Sequence, residues 1–198
     1  MLTGPLLLFN PWLVSAEQAR HGVAASLASD QPSVDRVTVA MLRDLFFNGD
    51  FSASLHGDAP ILDASERSHM SDVGGLVRIL AVLEAAALIT LLATGRRLRD
   101  DPARRARLLR RAAAGIGLAA LALAIFFAVA FDVAFAAFHA LFFRAGTWQF
   151  GPESNLIRLF PEPFWFETSL LAGGSILVGA VVAAVLARRD LGARPAAG

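Results

Sequence analysis

Four histidines, His21, His56, His69 and His139, are the side chains of this 198-residue chain whose unperturbed proton affinity lies near neutral pH. There is no cysteine, no tyrosine and no lysine, the 18 positive charges all being arginine. A thiolate nucleophile, a Schiff-base lysine, a disulfide scaffold and a cysteine-ligated metal are therefore excluded. His21 and His56 stand in polar, turn-like surroundings (ARHGV, LHGD) and read as solvated surface residues. His69 lies in ERSHMSDV and His139 in FDVAFAAFHALFF, each beside a long apolar run. Each has a carboxylate on its own helical face: Asp72 three residues after His69, and Asp132 two turns before His139. A carboxylate near an imidazole selects its tautomer and raises its basicity, as a general base requires. The same residues also suit a structural role as helix-end and interfacial polar groups, with Asp72 favoured by the dipole at a helix start. Two histidines and a carboxylate would suffice in number for a metal, but no H-x-x-x-H or comparable spacing supports one. No cofactor is implied.

The elements that must position these residues are membrane helices. The sequence is 56% hydrophobic, and its apolar residues fall in blocks long enough to cross a bilayer core of ~30 Å, which takes roughly 20 residues of helix. Three such runs span 73–94, 112–131 and 170–187. Between the first two, residues 96–111 carry eight arginines, and the tail adds Arg188, Arg189 and Arg194. By contrast, residues 11–72 hold four arginines and 136–166 hold two. The positive-inside rule predicts a cytoplasmic loop at 96–111 and a cytoplasmic tail, with the histidine-bearing segments outside. His69 and His139 then meet at one membrane surface although 70 residues separate them. Net charge is +1 and carries no message of its own.

Ionisable groups inside apolar runs are costly and tend to be paired or functional. Arg78 lies nine residues inward of His69, and Asp132 seven inward of His139. At ~1.5 Å per residue both sit ~10–14 Å below their histidines, so a buried Arg78–Asp132 pair is expected. Glu84 lies deeper, with no cationic partner at its depth.

The first 14 residues are apolar but too short to span, and are broken by Gly4 and Pro5. They are expected to be the outer end of a first membrane helix that starts upstream. Ser33 is placed to cap a helix over 34–47, with Val37, Met41, Leu42 and Leu45 on one side and Gly49 closing it. The stretch FSASLHGDAPILD alternates weakly around a Gly-Asp turn, a hairpin signal. Trp148, Trp165 and neighbouring phenylalanines suit an interfacial belt. The pattern contains no phosphate loop, dinucleotide fingerprint or heptad seam. GGSIL at 173–177 is no nucleophile elbow, and the arginine cluster reads as a topology signal with anionic-lipid contact, not as a nucleic-acid patch.

Three strings together resemble the lipoprotein intramolecular transacylase family. They are E-R-S-H-M-S-D-V at 66–73, F-D-x-A-F-x-x-F-H-x-x-F-F at 131–143, and the segment Trp148, Phe150, Pro152, Leu156 to Leu159, Pro161, Glu162, Phe164. The likeness extends from about Pro11 to the last helix. It implies a four-helix membrane enzyme with a partly β extracellular cap. It implies transfer of the sn-2 acyl chain of a diacylglyceryl-cysteine lipoprotein to the cysteine's own α-amine, giving the lyso form. The family's two important histidines fall on His69 and His139. The chain departs from the pattern in its short first helix and in Gly74–Gly75, where a more polar residue is expected.

The combined expectation is an all-α membrane bundle with a small, partly β extracytoplasmic cap, as one domain over 1–198. It holds three complete transmembrane helices and a short or truncated first one. Residues 1–14 end the first helix, and 15–72 and 136–166 are extracytoplasmic. Residues 73–95, 112–135 and 167–187 span, 96–111 form the cytoplasmic loop and 188–198 the cytoplasmic tail. His69 and His139 are the expected catalytic pair, supported by Asp72, Asp132 and Arg78. Diacylated lipoprotein and membrane lipids are the expected partners, at the cell membrane. The competing class is a non-catalytic membrane protein, a chaperone or sensor, whose histidines are structural.

Overall fold

A computed structural model describes residues 9–57 and 59–192, with 189–192 described by their backbone alone. All regular structure among them is helical: α1 (Pro11–Arg20), α2 (Val23–Ser26), α3 (Gln31–Phe47), α4 (Ala64–Arg97), α5 (Pro102–Val129), α6 (Phe131–Phe142), α7 (Asn155–Leu159) and α8 (Glu162–Gly192). Helices α4, α5 and α8 are long and apolar enough to cross a membrane.

The cap is helical, which corrects the partly β expectation. Among the described residues of 51–63 the arms share one backbone bond, from Ile61 N–H to the Ala53 carbonyl at 2.9 Å. The apolar residues of that stretch, Phe51, Ile61 and Leu62, are buried in a core made mainly by helices, so their alternation does not serve a sheet face. Phe51 takes a left-handed φ of 55°. Its N–H is held by the Asp44 carboxylate at 2.9 Å.

Helix α3 starts earlier than its Ser33 signal suggested. Asp30 caps it, accepting from the Ser33 N–H at 2.8 Å. Asn48, at φ 56°, closes it in place of Gly49. Gly49 is needed for space, since a Cβ there would fall 2.0 Å from Asp44 Oδ1. Residues 1–8 of the expected first membrane helix lie outside the described residues. Residues 11–14 are instead the first turn of α1, which Asn10 caps, and Val14 enters the core.

That core unites α1–α3 with the ends of α4 and α8 and with α7. Val34, Val37, Met41 and Leu45 pack with Met70, Leu156, Leu159 and Phe164. Gln18, fully buried, crosslinks three helices: its amide donates to the Leu159 carbonyl at 3.0 Å and its oxygen accepts from Thr38 at 2.9 Å. A buried amide satisfied on both sides favours one packing arrangement over its neighbours.

The membrane helices use a different packing. α5 buries Ala106, Ala113 and Ala120 and α8 buries Ala180 and Ala187, residues seven apart in each helix. A Cβ on Gly117 would sit 3.3 Å from that of Ala180, and one on Gly173 3.2 Å from that of Ala124. The pairing runs antiparallel and lets the backbones approach closely, which suits helices that gain nothing from burying leucine in lipid. A seam read only from large apolar residues misses it. Large residues such as Leu118, Leu123 and Val181 remain exposed, facing outward.

Helix boundaries differ from the sequence pattern. α4 begins at Ala64, so the apolar run at 73 is its third turn and not its start. α4 also runs to Arg97 and α5 starts at Pro102, which shortens the arginine-rich loop to 98–101. The helical run through the histidine motif breaks at Ala130 (φ −139°, ψ 56°), and α6 carries His139.

Candidate active site

His69 is set by the first turns of α4. Asp63 caps the helix by accepting from the Glu66 N–H at 2.9 Å, and Glu66 Oε2 accepts from the Asp63 N–H at 2.7 Å. This is the reciprocal capping box of a D-x-x-E start. The Glu66 N–H and the Ser65 hydroxyl hold the Asp63 carboxyl below the usual carboxylate range. Glu66 also reaches outside its helix: Oε1 accepts from the Ser154 hydroxyl and from the Leu156 N–H at 3.0 Å. Asn155 adds a bond to the Ile61 carbonyl at 2.8 Å. One buried carboxylate thus fastens the start of α4 to the start of α7, one turn from His69.

His139 is brought to the same place by α6. The imidazoles stack with centroids 6.0 Å apart and planes 29° from parallel. His139 Nδ1 lies 2.8 Å from the Phe135 carbonyl. A carbonyl can only accept, so Nδ1 carries the hydrogen, and in the neutral ring Nε2 keeps its lone pair. A backbone carbonyl therefore performs the tautomer selection that the sequence assigned to Asp132.

Aromatic rings enclose the pair. Phe143 meets His69 edge-on at 4.9 Å and Phe150 tilts against it at 5.6 Å. Phe135 and Trp148 cover His139 at 4.1 and 4.8 Å. Two groups in this box are buried without a hydrogen-bond partner: His69 Nδ1 and Trp148 Nε1. Buried polar atoms are rarely left unpaired, and those at a site are candidates to meet a substrate.

Of the three supporting residues, Asp72 stays within electrostatic reach of His69, while Asp132 and Arg78 are arranged differently from expectation. Asp72 is exposed one turn beyond His69, and Asp132 is exposed at the start of α6. Among the described residues no ion pair joins Asp132 to Arg78. Arg78 Nη1 donates instead to the Leu45 carbonyl at 3.1 Å, in the last turn of α3. That carbonyl has no partner within its own helix, and a cation there also suits the dipole. Gly74 makes the approach feasible, since its Cβ would lie 3.3 Å from the Leu45 oxygen and 3.0 Å from Arg78 Nη1. The Gly74 departure is thus a close helix contact.

Of the other histidines, His56 is exposed as expected. His21 is not a solvated residue: its side chain is 16% exposed, between Glu17 and Glu167. Glu66 and Trp148 were not singled out from the sequence as site residues. The D-A-S-E box at 63–66 is the signal that could have found Glu66. The Trp148 role depends on distant packing and has no local signature.

A family model described as lipoprotein intramolecular transacylase Lit matches residues 6–165. No curated protein matches the chain. Among solved structures, the lipoprotein intramolecular transacylase Lit from Bacillus cereus superposes with a TM-score of 0.84 at 20% identity, over 96% of this chain and 87% of that one. Variants of that protein with one histidine replaced by arginine or by alanine each superpose with a TM-score of 0.78, also at 20% identity and 96% of this chain, covering 84% and 86% of theirs. That likeness shows a shared membrane fold. With four-fifths of its length matched by the family model, the chain belongs to the lipoprotein intramolecular transacylase family.

Proposed function

We propose that this protein transfers the sn-2 acyl chain of a diacylglyceryl-cysteine lipoprotein to the cysteine's α-amine, with His69 and His139 acting together at the extracytoplasmic face. Membership of a transacylase family supports the reaction class. The observation that carries the reading is the stacked histidine pair with its tautomer-selecting carbonyl.

In the reaction the amine nitrogen attacks the sn-2 ester carbonyl, the C–N bond forms and the C–O bond to glycerol breaks. One proton moves from nitrogen to the departing glyceryl oxygen, so ester and amine become amide and alcohol with no external reactant. The attack closes an eight-membered ring, which a free lipid rarely samples. Positioning can contribute ~7–11 kcal/mol to such a step. An α-amine with pKa ~7.7–8 needs only a modest base. His139, with Nε2 as acceptor, is assigned that role. His69 is assigned to the oxyanion or the leaving oxygen, and the unpartnered Trp148 N–H to the oxyanion.

Expression in a host without its own N-acylating enzymes tests the reading. Mass spectrometry of a lipoprotein N-terminus should show diacyl lipoprotein converted to the N-acyl, S-monoacylglyceryl form with total acyl count unchanged. An unaltered acyl arrangement would favour the non-catalytic membrane protein.

A further inference from the structure

We propose that Glu17, His21 and Glu167 form a divalent-cation site of zinc type that ties α1 to α8 where the cap meets the membrane helices. Glu17 and His21 are four residues apart and share one face at the end of α1, while Glu167 comes from the second turn of α8. One donor atom from each lies within 4.8 Å of the others. His21 Nε2 is 3.7 Å from Glu17 Oε2 and 3.6 Å from Glu167 Oε1. These separations are too long for hydrogen bonds. Tetrahedral ligands at ~2.1 Å from zinc lie ~3.4 Å apart, whereas adjacent octahedral ligands at that bond length lie ~3.0 Å apart. Both histidine–carboxylate separations are therefore nearer the tetrahedral value than the octahedral one.

The second observation is that two of the donor atoms, one on Glu17 and one on His21, lack a hydrogen-bond partner. The Glu17 side chain is 8% exposed, and both its Oε2 and His21 Nε2 are buried with no hydrogen-bond partner. Glu167 keeps its Oε1 toward His21 while its Oε2 accepts from Arg20 Nη1 at 2.5 Å. An outer hydrogen bond that orients a ligating carboxylate is a regular feature of metal sites. Arg20 also approaches Glu17 Oε2, at 3.8 Å. Imidazole suits zinc among the divalent metals, carboxylate oxygens are compatible ligands, and three protein ligands leave a fourth position for water. The site shares no residue with the His69–His139 pair.

The test uses full-length protein in detergent, purified through a tag without histidines, stripped with a chelator and titrated with cobalt(II). One equivalent should produce the visible absorption of tetrahedral cobalt, and zinc should displace it and raise the melting temperature. His21→Ala and Glu17→Gln should weaken binding by more than ~10–100-fold, the loss seen even for outer-shell partners. Both should keep the wild-type far-UV spectrum in the metal-free state, since neither residue belongs to the buried apolar core. His139→Ala should retain the cobalt spectrum. Absence of a stoichiometric cobalt signal, or a signal that survives His21→Ala and Glu17→Gln or disappears with His139→Ala, would overturn the proposal.

Discussion

In the proposed reaction Trp148 and His139 divide two tasks, an N–H donor and a base. The Phe135 carbonyl sets which nitrogen of His139 is basic, and the indole brings an N–H donor to the same box. His139→Ala and His69→Ala should each lower conversion of diacyl lipoprotein by ~10²–10⁴-fold, the usual share of acid–base help. In the proposed reaction the pair serves one proton transfer, so the double variant should lose little more than either single one. Multiplicative losses would mean that the two rings act independently. Trp148→Phe keeps the ring and removes only the N–H. It should lower the turnover rate ~10²–10³-fold with KM and melting temperature near wild type, as loss of an oxyanion donor does. Wild-type turnover in that variant would remove Trp148 from the chemistry.

At the level of elements, helix ends position the site. Asp63 caps α4 one and a half turns before His69, and Glu66 fastens that turn to α7. Asp63→Ala should cost about 1 kcal/mol of stability, the ordinary value of a lost N-cap. Because the folded carboxyl is held below its usual value, its contribution is present above the unfolded pKa of ~3.9. It is lost as pH falls through the folded pKa. Melting curves of wild type and variant should therefore converge on acidification, and a gap that widens toward low pH would contradict the cap. The α3–α4 contact rests on Gly74 and Arg78. Gly74→Val should push the Leu45 carbonyl away and destabilise the cap, and Arg78→Met should cost ~1.5–3 kcal/mol through the lost charge-assisted bond. Combining Arg78→Met with Asp132→Ala should be additive, because the two residues do not pair, and strong coupling between them would contradict that separation. In the α5–α8 seam, Gly117→Leu should lower the detergent melting temperature, while Leu118→Ala on the exposed face should leave it nearly unchanged.

Taken whole, the molecule separates two packing regimes. The cap buries leucine, valine and phenylalanine as a water-soluble domain does, whereas the membrane helices bury alanine and glycine and turn their large side chains outward. The histidine pair lies where the two regimes meet, a sensible place to bring a lipid ester and a polar peptide terminus together. Orientation can be tested with single cysteines, since the chain has none of its own. Ser52→Cys should react with an impermeant thiol reagent in intact cells, and Asp100→Cys only after permeabilisation. The reverse labelling would invert the topology and move the site to the cytoplasm.

The three long apolar helices and the two histidines of interest were legible in the sequence, because bilayer thickness imposes a run length and imidazole chemistry is scarce in a lysine-free, cysteine-free chain. The D-A-S-E box carries a local capping signal, although Glu66 was not singled out from it. What lies across the gap from a residue was not legible. Arg78 was paired by depth with Asp132, yet it bonds the Leu45 carbonyl, because a glycine one turn away admits the end of another helix. His21 looked solvated by its neighbours in sequence, yet a glutamate 146 residues later covers it. The expected hairpin at 51–63 was judged by its alternation, and its apolar residues found a helical core instead. Periodicity and charge bias report what one segment does with solvent or lipid. Which groups meet in the interior depends on the packing of segments distant in sequence, and that only the tertiary structure decided.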